Sequence, residues 1–308
     1  MYDVIIIGAG FAGYTAAIYS VRYRLTTLVI SKEPGGVIVN SREVENYPGF
    51  RRISGFELMK KFEEHAKSLG AELVVDEVVG IIKQAGSFKI ETRQGETYEA
   101  KSAILALGTE RRKLDIPGAK EYEGKGVHYC ATCDAAFYKD KVVAVIGGGN
   151  SAAHSALLLS RFARKVYIIY RREKLRCEPL LYDKINATAN IEIIYKTNLT
   201  EVKGSKFLEK VRLDNEYKGR KELELDGVFV EIGSIPNSSL AKELGVELTD
   251  KHEIVVDEHC RTNIKGVYAA GDVTNTVLRQ GIVAAAQGAI AAASAYAFIT
   301  GRHPSQAW

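Results

Sequence analysis

Three stretches of the chain share one order of hydrophobic and polar positions. Each begins with an apolar run of strand length, passes through a glycine-rich turn, and continues into an alanine-rich segment of helical length. The stretches read DVIIIGAGFAGYTAAIYS, KVVAVIGGGNSAAHSALLLSRF and GVYAAGDVTNTVLRQGIVAAAQGAIAAA. Apolar strands that alternate with helices are typical of parallel sheets covered by helices, so the pattern predicts an α/β fold.

The segments between these stretches carry strand patterns separated by turns. One reads AELVVDEVVGIIKQAGSFKIETRQGETYEAKSAILALG, in which QAGS and RQGET are turn signals, and the other reads IEIIYKTNLTEVKGSKFLEKVRLDNEYKGRKELELDGVFVEIG. They predict an antiparallel sheet in each half of the chain, with a closing strand that runs toward Gly108 or Gly233. The chain is therefore expected to have a duplicated architecture.

Length and composition favour two ordinary globular domains. The chain has 308 residues, more than the roughly 150 expected of one domain. Hydrophobic residues make up 46% and charged residues 26%, which argues against a disordered, fibrous or membrane protein. The longest apolar run, IVAAAQGAIAAASAYAFI, is interrupted by Gln287 and Ser294, so we expect a buried helix there and no membrane span.

The net charge and the N-terminal sequence indicate which partners and which cellular location to expect for the protein. The 42 basic and 38 acidic side chains give a net charge of +4, which is too small and too dispersed for a nucleic-acid-binding surface. The chain opens directly on the strand pattern YDVIIIG, without the basic segment and cleavage site of a signal peptide. A cytoplasmic location, with no membrane or nucleic-acid partner, is therefore expected.

The first stretch contains the glycine pattern of a dinucleotide-binding turn. Gly8, Gly10 and Gly13 follow the strand at G-x-G-x-x-G spacing. The first glycine permits a tight turn, the second lets the backbone approach a pyrophosphate, and the third lets the helix pack closely on the strand. Glu33 follows about 20 residues later, where such folds place an acid near a ribose. A glycine-rich turn that binds nothing is the alternative.

The second stretch repeats this pattern and adds a basic cluster. Gly147 and Gly149 precede Ala152, which replaces the third glycine, and the next strand pattern, KVYIIY, leads into three arginines: Arg171, Arg172 and Arg176. An NAD site would place an acid at that strand end, whereas guanidinium groups suit the 2′-phosphate of NADP. The cluster favours NADPH over NADH, and a basic surface turn is the alternative.

The third stretch places an acid at a strand end. Gly271 and Asp272 follow the strand pattern GVYAA, and ligands of open α/β sheets bind at the carboxyl ends of the strands. Asp272 is therefore expected to hydrogen-bond a cofactor. Capping of the next helix is a second role that the residue could also have.

The pair Cys130–Cys133 in VHYCATCDAAF could bind a metal, form a structural disulfide or take part in redox chemistry. A zinc site needs two more ligands, but Cys177 and Cys260 are isolated, and if EIVVDEHC is a strand then His259 and Cys260 point to opposite faces. A disulfide that closes so small a ring would stabilise little. Redox exchange is the favoured interpretation, and the two isolated cysteines are expected to be inert small hydrophobes.

Six motifs, taken in order, carry a family resemblance. They are EVENYPGF at Glu43–Phe50, CATCD at Cys130–Asp134, GGGNSA, RREKLR, AAGDV at Ala269–Val273, and the pair Arg279–Gln280. Over essentially its full length the chain resembles the low-molecular-weight thioredoxin reductases of bacteria and archaea, which are FAD-containing, NADPH-dependent pyridine nucleotide disulfide oxidoreductases.

The resemblance implies two Rossmann-like domains of the three-layer ββα type. The FAD-binding domain would be discontinuous, with residues 1–110 and 239–308, and the NADPH-binding domain, residues 111–238, would be inserted into it and carry the cysteine pair. Members of the family are homodimers in which the NADPH domain rotates, so that either NADPH or the cysteine pair faces the flavin.

The resemblance also implies which residues hold the cofactors. The FAD set is Gly8, Gly10, Phe11, Ala12, Gly13, Ser31, Lys32, Glu33, Gly35, Gly36, Val37, Asn46, Gly271, Asp272, Arg279 and Gln280. The NADPH set is Gly147, Gly149, Asn150, Ser151, Arg171, Arg172 and Arg176. Three residues depart from the family's pattern: Val37 replaces a frequent glutamine, His154 a glutamate, and Tyr170 a histidine; the last two bear on nucleotide preference.

The implied activity is a relay from NADPH through FAD and the cysteine pair to thioredoxin or a thioredoxin- or glutaredoxin-like protein. By the resemblance, Cys133 is the flavin-proximal sulfur and Cys130 attacks the partner. Asp134 is expected to supply or accept the proton, a capping aspartate being the alternative, and His128 is a rival proton donor or an ordinary polar residue. A dithiol oxidase, a disulfide reductase with another donor, and a non-catalytic nucleotide-binding redox sensor are the competing functions. Trp308 is expected either to pack on a dimer partner or to fray.

Overall fold

The computed structural model describes residues 1–302, and Trp308 lies outside this range. The chain forms two compact units. Unit 1 comprises Met1–Glu110 and the chain from Ile235 onward, and unit 2 comprises Arg111–Ser234. Unit 2 is thus inserted into unit 1, with boundaries at residues 110/111 and 234/235. The boundaries expected from the sequence are 110/111 and 238/239, and the assignment of FAD and NADPH to the two domains stays a prediction.

The described residues form seven α-helices and seventeen strands. The helices are α1 (Phe11–Arg22), α2 (Gly55–Ser68), α3 (Ala131–Asp134), α4 (Asn150–Leu159), α5 (Pro179–Asn186), α6 (Ser239–Glu243) and α7 (Gly281–Thr300). The strands are β1 (Tyr2–Ile7), β2 (Thr27–Ile30), β3 (Glu72–Val74), β4 (Val78–Lys83), β5 (Phe88–Thr92), β6 (Thr97–Leu105), β7 (Thr109–Arg111), β8 (Val127–His128), β9 (Val142–Ile146), β10 (Lys165–Tyr170), β11 (Ile191–Tyr195), β12 (Leu199–Gly204), β13 (Leu208–Tyr217), β14 (Arg220–Glu224), β15 (Gly227–Val230), β16 (Ser234–Pro236) and β17 (Val267–Ala269).

Unit 1 is built on a sheet with the strand order β3-β2-β1-β6-β5-β4, in which β17 also pairs with β6. The long strand β6 pairs with neighbours of both directions. Its last residues pair in parallel with β1 and β17, with Ile7 opposite Leu105, and its first residues pair with β5 in antiparallel fashion. The apolar runs of β1 and β2 are buried on both faces, as expected of central parallel strands.

Helices α1 and α7 pack on each other in unit 1 through small residues. A Cβ atom added at Gly288 would lie 2.2 Å from the Ala12 carbonyl oxygen, so glycine is required for this close approach. Six residues of α7 are buried, whereas Ile282, Ile290 and Phe298 are exposed. By length and composition α7 is the one helix within residues 1–302 that could cross a membrane, a test that core helices also pass. The predicted buried helix is thus buried on one face only.

Unit 2 repeats the plan of unit 1. Its parallel sheet has the strand order β11-β10-β9-β15-β8, and β12, β13 and β14 form an antiparallel sheet. One apolar cluster, which includes Val143, Ile168 and Leu159, packs between the parallel sheet and α4, and a second cluster, which includes Val211 and Val228, joins the two sheets. The duplicated α/β architecture predicted from the sequence is confirmed.

The segment EIVVDEHC, for which a strand was considered from the sequence, forms none. In EIVVDEHC only Ile254 forms isolated bridges, and no strand is assigned within residues 253–260. The carboxylate of Asp257 accepts hydrogen bonds from the backbone amides of His259 and Arg261, and Cys260 has a φ of 58°. This side-chain hydrogen bonding closes a turn and competes with strand pairing.

Candidate active site

The first glycine loop joins β1 to α1 and has no room for side chains at two of its three glycines. A Cβ at Gly13 would lie 1.8 Å from the Gly8 carbonyl oxygen, and one at Gly8, whose φ is 105°, would lie 2.2 Å from that of Ala106. At Gly10, in contrast, a Cβ would meet nothing within 4 Å, and no side chain caps the first amides of α1. An open loop before uncapped helix amides has the chemistry of a phosphate site.

The segment after β2 lies against this loop. The amide of Gly35 donates a 2.8 Å hydrogen bond to the Ala9 carbonyl, and a Cβ at Gly36 would lie 3.6 Å from the Cα of Gly10. The structure therefore brings together two segments of the predicted flavin set. The other residues of these segments differ in exposure: Ala12 and Ser31 are buried, Phe11 is half-buried, and Lys32, Glu33 and Val37 are exposed.

Distant members of the predicted flavin set also meet in unit 1. The Asn46 side-chain amide donates a 3.0 Å hydrogen bond to Gln280. Asp272 is half-buried, desolvation raises the pKa of its carboxyl, and the Arg279 charge opposes this shift. The Arg279 guanidinium donates a 2.6 Å hydrogen bond to the Glu253 carboxylate. Glu253 was not predicted, because only the fold brings it beside Arg279.

Gly271, next to Asp272, lies close to α1. A Cβ at Gly271 would lie 3.2 Å from the Cβ of Ala12.

The second glycine loop, between β9 and α4, has the same construction. A Cβ at Gly147 would lie 2.1 Å from the Glu231 carbonyl oxygen, whereas one at Gly149 would meet nothing within 4 Å. Gly149 precedes α4 and no side chain caps that helix. Asn150 instead exchanges two 2.8 Å hydrogen bonds with Glu178, and Ser151 is exposed.

The predicted arginine cluster lies at the carboxyl end of β10. The side chains of Arg171, Arg172 and Arg176 are exposed, and the Arg176 amide bonds the Gly148 carbonyl. Tyr170, the last residue of β10, is 5% exposed and packs its ring against Gly148. Its hydroxyl is buried without a hydrogen-bond partner among the described residues. The cluster and the Tyr170 ring therefore border the second loop.

Cys130 and Cys133 form a disulfide at α3, directly after β8. The amide of Cys133 donates a 3.2 Å hydrogen bond to the Cys130 sulfur. Cys133 is exposed and Cys130 is half-buried. Because an amide donor stabilises negative charge on sulfur, this contact favours a thiolate at Cys130 after reduction.

His128 links Asp134 to Tyr138 beside the disulfide. Its Nδ1 lies 3.0 Å from the Asp134 carboxylate and its Nε2 lies 2.6 Å from the Tyr138 hydroxyl. Burial lowers the pKa of His128, against the opposing effect of Asp134, and raises the pKa of Tyr138 to about 12. Tyr138 was not among the site residues predicted from the sequence. The only indication there is its position, four residues after Asp134.

The other two cysteines lie elsewhere. Cys260 is buried, which raises its pKa to about 12, and Cys177 is half-buried with a pKa that burial also raises. Within residues 1–302 no group of three or more histidine, cysteine and acidic side chains is arranged to hold a metal ion. Cys260 is thus poorly reactive at neutral pH, because the thiolate is the nucleophile.

Comparison with known proteins identifies the family. The sequence model described as "Pyridine nucleotide-disulphide oxidoreductase" matches residues 2–293. The chain belongs to the pyridine nucleotide-disulphide oxidoreductase family. Membership in this oxidoreductase family implies the use of a flavin and a nicotinamide nucleotide.

Individual members of the family match over nearly their full length. The chain is 41% identical to a thioredoxin reductase of Listeria innocua over 303 residues, which cover 97% of this chain and 94% of the relative. Among solved structures, Lactococcus lactis thioredoxin reductase superimposes with a TM-score of 0.94 at 39% identity, covering 98% and 100% of the two chains. The T. acidophilum thioredoxin reductase gives a TM-score of 0.91 at 41% identity, covering 96% and 98% of the two chains. The fold class and the family resemblance predicted from the sequence are confirmed.

Proposed function

We propose that the protein is a thioredoxin-disulfide reductase that uses FAD and NADPH. The Cys130–Cys133 disulfide carries the proposal, because it lies directly ahead of the second glycine loop in a chain of this family. A disulfide in so small a ring stabilises the fold little but exchanges readily. The pair is therefore suited to repeated oxidation and reduction.

The residues of unit 1 fit FAD. The open backbone at Gly10 and the uncapped amides of α1 would accept the pyrophosphate. The half-buried Asp272 carboxyl, whose pKa is raised by desolvation, would gain a hydrogen-bond partner from a cofactor hydroxyl. Asn46 and Gln280, already held together, would present their remaining amide groups to the ring system.

The residues of unit 2 fit NADPH. Gly149 and the start of α4 would accept the pyrophosphate, and the exposed guanidinium groups of Arg171, Arg172 and Arg176 would bind a 2′-phosphate. The buried Tyr170 ring packs against Gly148 and supports the loop beside the arginine cluster. The proposed preference is therefore for NADPH over NADH.

A bound flavin would supply two-electron transfer between the nicotinamide nucleotide and the Cys130–Cys133 disulfide. The reduced pair then acts on the partner. The Cys130 thiolate attacks one sulfur of the partner disulfide, forming a mixed disulfide as the partner's S–S bond breaks. The Cys133 thiolate attacks Cys130, so the Cys130–Cys133 bond forms again and the partner leaves. Two electrons pass to the partner, and the protons of the two Cys thiols end on its two thiols.

The proposed roles of the two sulfurs follow the family resemblance. Cys133 would face the flavin and Cys130 the partner. The hydrogen bond that the Cys133 amide donates to the Cys130 sulfur supports a nucleophilic thiolate at Cys130. Asp134 would exchange the protons. We further propose thioredoxin or a related thioredoxin- or glutaredoxin-like protein as the partner, a homodimer as the working form, and a cytoplasmic location.

Anaerobic mixing with NADPH tests the first step. The yellow protein should bleach at about 450 nm, and the reduced protein should then reduce bacterial thioredoxin, a glutaredoxin or a larger dithiol oxidoreductase when each is offered in turn. A flavin that stays oxidised with NADPH, or a reduced protein that transfers nothing to any of the three, would refute the proposal.

Serine variants test the second step. Cys133→Ser should still bleach with NADPH and should lose protein-disulfide reduction. Cys177→Ser, which changes the half-buried free cysteine, is the matched control and should retain both steps. Protein-disulfide reduction by Cys133→Ser would contradict the relay.

A further inference from the structure

His128 lies in a fixed array behind the redox pair. It is the last residue of β8, where it pairs with Phe229 of β15. The two rings stack with centroids 5.3 Å apart and planes 25° apart, and the His128 side chain is 10% exposed. Neighbouring strands thus hold the imidazole two residues before Cys130.

Tyr138 fixes the other side of the imidazole. Its ring packs edge-on against Phe229 at 5.3 Å, and a Cβ at Gly227 would lie 2.3 Å from the ring. Only glycine at position 227 leaves space for the tyrosine. The hydroxyl is consequently placed 2.6 Å from His128 Nε2.

The hydrogen bonds define which atoms of the array carry the protons. An ionised carboxylate only accepts hydrogen bonds, so His128 Nδ1 carries the proton that is donated to Asp134. In a neutral imidazole Nε2 is then an acceptor, and the Tyr138 hydroxyl donates to it. The charged groups that face this array are the carboxylates of Asp134 and Asp226 and the ammonium of Lys141, 5.4 Å from the Tyr138 ring centroid. Burial of both rings favours their neutral forms.

We propose that His128 is a positioning residue for the proton exchange of the reduced cysteine pair: it orients the Asp134 carboxylate, with its own tautomer fixed by Tyr138. This inference rests on the proposed reductase function. Asp134 is the last residue of α3, which contains Cys133 and has Cys130 as its N-cap, and an isolated surface carboxylate would rotate freely. A single donor at 3.0 Å restricts that rotation, so one carboxylate oxygen is kept on His128 and the other is left for the thiols.

The alternative is that the polar contacts of His128 only stabilise the packing of the core. The two roles can be distinguished by comparing a partner disulfide that needs a proton with one that does not. A partner alkyl disulfide expels a thiolate that must be protonated, whereas an aromatic disulfide expels a thiolate that is stable without a proton. Loss of a positioned acid should therefore slow the first reaction and spare the second. Loss of packing alone should affect both or neither.

The experiment uses the full-length protein, reduced chemically and freed of reductant, in single-turnover mixing. His128→Leu should reduce bacterial thioredoxin about tenfold more slowly, the factor carried by one hydrogen bond to a charged group. Its reaction with the aromatic disulfide 5,5′-dithiobis(2-nitrobenzoate) should match that of the wild type. In steady state kcat should fall while KM for thioredoxin stays constant, because His128 is buried.

Three further variants and one control distinguish positioning from packing. His128→Asn restores an N–H near Nδ1 and should recover most of the rate; Tyr138→Phe keeps the ring and should slow thioredoxin reduction about threefold, within the range for one neutral hydrogen bond. The double variant His128→Leu with Asp134→Asn should be no slower than Asp134→Asn alone. His65→Gln, an exposed histidine of α2, is the control and should behave as the wild type.

Specific results would overturn the inference. They are a wild-type rate in His128→Leu, equal slowing toward both disulfides, no rescue by asparagine, or additive losses in the double variant. If His128→Leu does not fold, Tyr138→Phe decides alone, and a wild-type rate in that variant overturns the inference. Failure of the wild-type protein to bleach with NADPH or to reduce thioredoxin would instead refute the proposed function itself.

Discussion

The side-chain amide of Asn46 donates a hydrogen bond to the Gln280 side chain, 3.0 Å away and 234 positions later in the chain. Asn46 belongs to the segment before α2, and Gln280 is the residue directly before α7. The bond therefore joins two separate parts of the proposed flavin site, both within unit 1. It also fixes which amide atoms of the two side chains remain available to a ligand.

Removal of either partner should weaken flavin binding. Asn46→Ala and Gln280→Ala should each raise the flavin dissociation constant by about two- to tenfold, because a typical hydrogen bond contributes about 0.5–1.5 kcal/mol. The double variant should lose less binding free energy than the two single variants lose together, since the residues share one hydrogen bond. Equilibrium titration of the apoprotein with FAD measures the constants. Asn40→Ala, an exposed asparagine, is the control; wild-type affinity in both single variants would contradict the prediction.

The arginine cluster should determine nucleotide preference. Replacement of Arg171, Arg172 or Arg176 by alanine should raise KM for NADPH by about tenfold or more, because each charged hydrogen bond is worth about 1.5–3 kcal/mol, and should leave KM for NADH unchanged. Steady-state rates with both nucleotides measure the effect. Arg164→Ala is a matched control, since this exposed arginine lies at the opposite end of β10. Equal losses with both nucleotides would indicate that the cluster does not bind a 2′-phosphate.

Local sequence patterns were sufficient to predict the fold and the two glycine loops. Gly8, Gly13 and Gly147 occupy positions where a Cβ would collide with backbone, and such constraints are visible as spacing in the sequence. Pairings across the fold were not predictable in this way. Neither the Arg279–Glu253 contact nor the His128–Tyr138 contact has a local signature.

The segment EIVVDEHC shows the limit of the same reasoning. Its apolar residues suggest a strand, but Asp257 bonds the amides of the following residues and forms a turn. Side chains that compete for backbone hydrogen bonds can override an apolar pattern. The prediction for α7 was half right for a related reason: composition indicates burial, but only the face with Gly288 contacts α1.

The packing of α7 on α1 should not tolerate one extra methyl group. Gly288→Ala would gain helix propensity, yet the added Cβ would lie 2.2 Å from the Ala12 carbonyl oxygen. Overpacking of this kind costs about 1–3 kcal/mol, so the melting temperature should fall by several degrees.

Thermal unfolding followed by circular dichroism measures the change at Gly288. Ala286→Gly, at an exposed position of α7, is the comparison and should cost about 0.5–1 kcal/mol through propensity alone. A Gly288→Ala variant that is more stable than the wild type would show that the two helices can separate at no cost.

Glu192 should make stability depend on pH in the acid range. Its carboxylate lies 2.8 Å from the Lys165 ammonium and 2.9 Å from that of Lys218, and it accepts a hydrogen bond from Tyr217. These contacts, led by Lys165, lower the pKa of Glu192 from 4.5 to about 2. Because the folded state holds the proton less tightly than the unfolded chain, the contribution is complete above pH 4.5 and is lost as pH falls toward 2.

Glu192→Gln should therefore lower the melting temperature at pH 7 and have a smaller effect at pH 3. The loss at pH 7 should stay below about 1 kcal/mol, because the partly exposed pair is screened by solvent, and 1 M salt should reduce it further. Thermal unfolding of both proteins at the two pH values measures the difference. Glu216→Gln, at an exposed position of β13, should change little at either pH. An effect of Glu192→Gln that is equal at pH 7 and pH 3 would mean that the ionised carboxylate does not stabilise the fold.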